Sequence, residues 1–239
     1  MSKDVDLGEC YLCGENVVKR SMTRHAKKCL RNYPVKGDSC SLYHLVVEGK
    51  YEPEYWLQLE IPGDAELDEL DSFLRDVWLE CCGHMSSFQI GQVSYLDNPL
   101  SNGGMSLIRE EEGFDCEIQE KLSLKDTFFY SYDFGSTTKL KLRVVEVREG
   151  VPLKDGVVML ARNLAPSYEC FKCRKPATVV RASGWGASIE DLFCEKCAKR
   201  EIGEGMALPL VNSPRSGTYA YCGPSEGVVE RYLPRQVEK

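Results

Sequence analysis

SLYHLVVEGKYEPEYWLQLEI, residues 41–61, decides how this chain folds. Two apolar runs, 41–48 and 54–61, read as strands. In the second, Tyr55, Leu57, Leu59 and Ile61 alternate with Trp56, Gln58 and Glu60, the period-two pattern that puts one set of side chains on a single face. Pro62-Gly63-Asp64 then turns the chain, and Asp64 is placed to cap a helix. Leu67, Leu70, Leu74, Val77, Trp78 and Cys81 recur there at helical spacing, with Glu66, Asp68 and Glu69 at the end where acids are stabilised. Gly83 is a natural terminator. Further strands are expected over 87–96, 127–134 and 138–148, the last two paired around Gly135, and a short one over 157–162. NPLSNGG, 98–104, is a loop, and the acidic stretch REEEGFDCEIQEK, 109–121, has no clear pattern. The order implies an α+β fold: a mainly antiparallel sheet with one principal helix.

On either side of this middle, cysteines fall in spacings that carry chemistry. Cys170-x2-Cys173 is followed, twenty residues on, by Cys194-x2-Cys197. Each Cys-x2-Cys turn offers two thiolates from one tight loop, and two turns close a tetrahedral sphere with no position left for substrate. Nearer the start, Cys10-x2-Cys13-x11-His25-x3-Cys29 makes a Cys-Cys-His-Cys set. His25 and Cys29 stand four apart, so they share a helix face and can meet the turn's thiolates. Ser21 is placed to cap that helix, SMTRHAKKCL. Two structural zinc ions per chain are expected, with iron the alternative in the four-thiolate cage. The organisation expected is a zinc finger over 1–36, the α+β domain over 37–164, and a zinc ribbon with a tail over 165–239. The finger's small size implies that metal binding supplies most of its folding free energy. The remaining cysteines, Cys40, Cys81, Cys82, Cys116 and Cys222, are expected to be small buried hydrophobes.

Charge narrows the partners. Residues 1–36 carry eight Lys and Arg against four Asp and Glu, whereas residues 37–164 carry eleven against twenty-four. Polyanions are repelled by the middle, so any nucleic acid is expected at the finger, through Lys19, Arg20, Arg24, Lys27, Lys28 and Arg31. A solvated helix face is the plain alternative, and no interleaved aromatic set accompanies these cations. No run of about 18 apolar residues spans a bilayer, and MSKDVDLGEC is not a secretory leader. A cytoplasmic protein is expected.

Signs of catalysis are few. Cys81, Cys82 and His84 could form a thiol–imidazole pair or a partial metal site, although packing at a helix end is the simpler reading. The stretch 183–188, SGWGAS, lacks the lysine of a phosphate loop. Asp133-Phe134-Gly135 has no accompanying kinase motifs and reads as a hairpin turn. His44 lies within an alternating strand as a packed or edge side chain. No Ser-His-Asp order or acid pair stands out, and no small-molecule substrate is expected.

Tyr55-Trp56-Leu57, Ile61-Pro62-Gly63-Asp64, Leu67, Leu70, His84, Phe88, Ile90, Tyr130 and Tyr132-Asp133-Phe134-Gly135 carry a resemblance. Over roughly residues 40–150 the chain resembles the plasmid Ri open-reading-frame-three-like family, also labelled insertion-element passenger proteins. That resemblance implies a compact α+β domain without an assigned activity. Relatives continue the Tyr-Asp-Phe-Gly element with an Asp and then a Trp, where this chain has Ser136, Thr137 and Thr138. The functional expectation is a non-enzymatic zinc adaptor or regulator that contacts nucleic acid or a nucleoprotein through the finger. A protein-interaction scaffold, and an enzyme with a site near His84 and Asp133, are the alternatives.

Overall fold

The computed structural model describes residues 6–97, 111–183, 186–203, 205–218 and 220–235. In chain order the elements are β1 (Leu7–Cys10), β2 (Asn16–Val18), α1 (Lys19–Asn32), β3 (Cys40–Gly49), β4 (Trp56–Pro62) and α2 (Leu67–Leu74). They continue with β5 (Ser86–Ile90), β6 (Val93–Leu96), β7 (Glu111–Glu112), α3 (Ile118–Lys121), β8 (Thr127–Tyr132), β9 (Thr138–Gly150) and β10 (Val158–Asn163). Last come β11 (Val179–Arg181), β12 (Leu192–Phe193), α4 (Glu195–Glu201) and β13 (Ala207–Pro209).

Ten strands make one sheet in the order β2-β1-β10-β4-β3-β9-β8-β5-β6-β7, antiparallel throughout except where β7 joins β6. A separate three-stranded sheet, β12-β11-β13, belongs to the ribbon. The α+β class and the antiparallel sheet expected from residues 41–61 are both present.

Alternation in β4 explains the layers. Leu57, Leu59 and Ile61, with Tyr55, sit in the main core against Leu67, Leu70, Phe73 and Leu74 of α2. Their neighbours Trp56, Gln58 and Glu60 point the other way and are buried as well. The finger covers that second face: Trp56 packs with Cys10, Met22 and Ala161, and Leu30 of α1 packs with Leu153, Val158 and Leu160. Gln58 Nε2 donates to Thr23 Oγ1 of α1 at 3.0 Å, and His44 lies beneath, 2.9 Å from Gln58 Oε1. Burial holds the His44 imidazole down at about 4, so it is neutral at ordinary pH.

The finger is therefore bound into the main sheet. β1 pairs with β10 through Gly8, Glu9 and Cys10, and a Cβ at Gly8 would stand 2.3 Å from the Trp56 ring. The apolar stripe Met22, Ala26 and Leu30 seats α1 on the sheet, and the clusters that Met22 and Leu30 join include Trp56, Ala161, Val158 and Leu160 of the sheet.

Some local expectations shift. The single strand over 87–96 is a hairpin, β5 and β6, turned at Gly91 in the left-handed region (φ 58°). Helix α1 starts at Lys19 with Val18 at its cap, and α2 is preceded by Glu66, so neither Ser21 nor Asp64 caps. The acidic stretch contributes β7 and α3. The loop 98–104 lies outside the described residues, as do Gly184 and Trp185. Helix α2 runs on as a π-helical turn, Arg75–Leu79, a geometry often found next to functional sites. None of the five remaining cysteines is fully buried, and Cys82 and Cys222 are exposed. Among the described residues, no helix is long and apolar enough to cross a membrane.

Candidate metal centres

The finger centre is built from two local devices. Between β1 and β2 the chain makes a tight knuckle: Cys10 N donates to Glu15 O at 2.9 Å, and Gly14 N donates to Cys10 O at 2.7 Å. Gly14 takes a left-handed φ of 78° that a Cβ would strain. This points the Cys10 and Cys13 thiols toward α1, which supplies His25 and Cys29. His25 Nε2 lies 3.2 Å from Cys13 Sγ and 3.4 Å from Cys29 Sγ. All four donor atoms lie within 4.8 Å of one another. Metal–sulfur and metal–nitrogen bonds of about 2.3 and 2.0 Å at tetrahedral angles put sulfur and nitrogen about 3.5 Å apart. The spacing fits. On the other side of the ring, Glu15 Oε2 stands 3.9 Å from His25 Nδ1, where a carboxylate orients a ligating imidazole.

The ribbon centre repeats the knuckle. Cys170 N donates to Lys175 O at 2.7 Å and Arg174 N to Cys170 O at 3.0 Å. Arg174 occupies the left-handed position (φ 63°) that Gly14 fills in the finger. The second pair comes from the start of α4, with Cys194 before its first turn and Cys197 within it. These four sulfurs also lie within 4.8 Å of one another, with Cys173 and Cys194 at 3.6 Å. Two thiolates on one tetrahedral ion are about 3.8 Å apart. Cys170, Phe193 and Ala198 form a small apolar cluster around this centre.

Electrostatics show what a cation must overcome. Burial pushes the Cys10 thiol up to about 12, and burial with the neighbouring thiols does the same to Cys197. At Cys170 burial works against the thiolate too, but the amides of Cys194, Cys173 and Lys172 outweigh it and bring the group down to about 6. A metal ion displaces the remaining protons, which couples its binding to pH. Both sites offer four protein donors, so both can hold a metal ion with a closed coordination sphere.

The six basic residues of α1 do not behave alike. Lys27 Nζ donates to Val145 O at 2.8 Å and faces Glu146. Lys19 reaches Pro53 O and pairs with Glu48. Both anchor the helix to the sheet. Arg20, Arg24, Lys28 and Arg31 are exposed and make no side-chain hydrogen bond or ion pair among the described residues. Beside Lys28 opens a cleft of about 900 Å³ whose walls include Tyr11, Tyr33 and Pro34.

His84 and Asp133 do approach: His84 Nε2 is 3.8 Å from Asp133 Oδ2. Asp133 turns the β8–β9 hairpin, accepting from Gly135 N at 3.0 Å and Ser136 N at 3.2 Å, and it takes a 2.8 Å bond from Arg215 Nη2. Burial pushes this carboxyl upward, but Arg215 and the two amides outweigh it and leave it below the usual carboxylate range. Arg215, in the C-terminal tail, is fully buried and also donates to Ser136 O and Thr138 Oγ1. Sequence reasoning missed it, because no local pattern links residues 82 positions apart.

No curated protein matches the chain. Among solved structures, a protein of unknown function from Methanosarcina mazei Go1 is similar at 15% identity and a TM-score of 0.43, over 51% of this chain and 68% of that one. The profile of the plasmid pRiA4b ORF-3-like proteins matches residues 43–171, starting after the finger and ending just past Cys170. That range spans more than half of the chain and carries the core strands, α2 and the Asp133 turn, so the protein belongs to the plasmid pRiA4b ORF-3-like family.

Proposed function

We propose that this protein is a zinc-stabilised binding protein, not an enzyme, and that it grips nucleic acid through α1. Zinc suits both centres: four thiolate or imidazole donors, no open position and tetrahedral spacing are its structural preference. The observation that carries the nucleic-acid reading is the division of labour on α1. At 100° per residue, Arg20, Arg24, Lys28 and Arg31 fall within an arc of about 80° and extend over about 16 Å of helix. His25 and Cys29 occupy the next face, and Met22, Ala26 and Leu30 the one beyond. One helix thus offers metal ligands, seats on the sheet and presents a row of cations with no side-chain partner among the described residues. Because residues 37–164 are strongly acidic, a polyanion finds its favourable approach at this row.

Fluorescence anisotropy with mixed-sequence duplex DNA and single-stranded RNA tests the reading. Four phosphate contacts give a log–log salt slope of about −3.6 on duplex DNA, a loss of about a hundredfold in affinity between 50 and 200 mM salt. Changing Arg20, Arg24, Lys28 and Arg31 to Gln should abolish that salt-dependent term, while Lys27→Gln acts mainly on stability. Absence of binding to either nucleic acid at low salt refutes the reading and directs attention to a protein partner. The enzyme alternative is disfavoured by Asp133, whose oxygens are already bonded to Arg215 and two backbone amides.

A further inference from the structure

We infer that Cys81, Cys82 and His84 form a third metal centre, an open one, which binds a thiophilic divalent cation such as zinc with one position left for an exchangeable ligand. Their donor atoms lie within 4.8 Å of one another. Sequence adjacency alone does not achieve this, since neighbouring side chains in an extended chain point apart. The loop that gathers them is fixed from both ends. It leaves the π-helical turn at Glu80, and Gly83 takes a left-handed φ of 70° with no atom within 4 Å of a built Cβ. Glu80 clamps the turn by accepting from Gly83 N at 2.6 Å, Arg75 Nη1 at 3.1 Å and Tyr132 Oη at 3.1 Å. The His84 ring meets Tyr132 edge-on, with centroids 5.8 Å apart.

The surroundings match a metal site. Asp133 stands 3.8 Å from His84 Nε2, placed to orient the imidazole as carboxylates do behind metal-bound histidines. Arg215 Nη2 is 3.5 Å from Cys81 Sγ and holds that side chain in place. Two thiolates and a neutral imidazole balance a divalent ion, and Asp133 balances Arg215, so the assembly is neutral overall and cheap to bury in part. Cys81 is half-buried and packs on the main core, whereas Cys82 is exposed and His84 partly so. The outer two donors can therefore rotate the last ångström onto an ion. Three protein donors with solvent on the fourth side is the arrangement that leaves water on the metal, unlike the closed finger and ribbon.

Metal titration of the full-length apoprotein under reducing conditions tests this, with cobalt(II) as a spectroscopic stand-in for zinc. The wild type should bind about three equivalents, and Cys82→Ser and His84→Gln about two each, given one ion per site. Cys82 is exposed and His84 partly so, and neither lies in a helix or strand, so far-UV circular dichroism should be unchanged. A Cys173→Ser control removes the ribbon's equivalent in every background. Added imidazole should shift only the cobalt bands lost in the Cys82 and His84 variants. Saturation of the wild type at about two equivalents, with Cys82 still reacting freely with a thiol reagent in the loaded protein, overturns the inference. So does a Cys81–Cys82 disulfide that persists in the reduced, metal-loaded protein.

Discussion

The finger and the ribbon use the same knuckle and the same number of donors, yet they are attached to the molecule in different ways. In the finger, the knuckle strand β1 is hydrogen-bonded to β10, and α1 seals Trp56 against Cys10, Met22 and Ala161. The ribbon has its own three strands and two small clusters, around Cys170 and around Val180. It meets the body through side chains, such as Tyr168 Oη, 3.3 Å from Tyr55 Oη, and Asn163 Nδ2 donating to Asn212 Oδ1. A metal ion bound at each of these two four-donor sets would therefore have unequal structural consequences. In one place it would complete a folded layer, and in the other it would hold together a unit with little else.

Metal removal exposes that inequality most strongly. Structural zinc contributes on the order of 10 kcal/mol to a small module, so chelation should unfold residues 166–210 while the β1–β10 ladder remains. Amide hydrogen exchange would show protection lost at Val179 and Val180 and kept at Glu9 and at Tyr11, whose N donates to Leu160 O. Equal loss in both regions would mean that the finger depends on its ion as completely as the ribbon does. The complementary disruption is Trp56→Ala, which empties the space between finger and sheet. A cost of about 3–5 kcal/mol is expected from large-to-small changes in a core, measured by denaturant unfolding, with the ribbon's exchange pattern unaffected.

The tail beyond the ribbon is pinned where Arg215 enters the β8–β9 turn. Removing one partner of a buried pair leaves the other charge uncompensated, so Arg215→Met should destabilise by roughly 3 kcal/mol. Tail amides near Ser216 and Thr218 should lose exchange protection with it. An effect of similar size, confined to acid pH, separates the finger side. The folded state holds His44 neutral down to about 4, whereas an unfolded histidine takes up its proton near 6.5. Between those values the unfolded chain binds the extra proton, so stability falls as pH drops through the window, by about 3 kcal/mol at its full extent. His44→Gln should flatten that part of the profile; an unchanged pH dependence would show that the imidazole protonates in place. The knuckles themselves give the smallest contrast. Gly14→Ala should cost about 1 kcal/mol at its positive φ, and Arg174→Gly should be near neutral or slightly stabilising, read as shifts in metal affinity.

Much of the molecule was legible where the pattern is local. Tyr55, Leu57, Leu59 and Ile61 share the core face that their alternation implies, and both four-donor sets converge as their spacings imply. The hairpin at Gly91 was not visible, since one apolar run can be a long strand or two short ones. The roles of Lys19 and Lys27 were hidden for a different reason. Their sequence neighbourhood is the same as that of Arg24 and Lys28, and only the strand carbonyl at Val145 and the loop carbonyl at Pro53 distinguish them.

By itself, then, the chain's order of residues determined the strand periodicity, the knuckles and the ligand sets, because each depends on dihedral preferences and spacings within a few residues. Tertiary structure alone decided that β1 joins β10, that four cations of six make no side-chain bond among the described residues, and that Cys81 meets Arg215 while His84 meets Asp133. Those outcomes depend on which distant segments pack together, and that choice is made by the burial and pairing of the whole sheet.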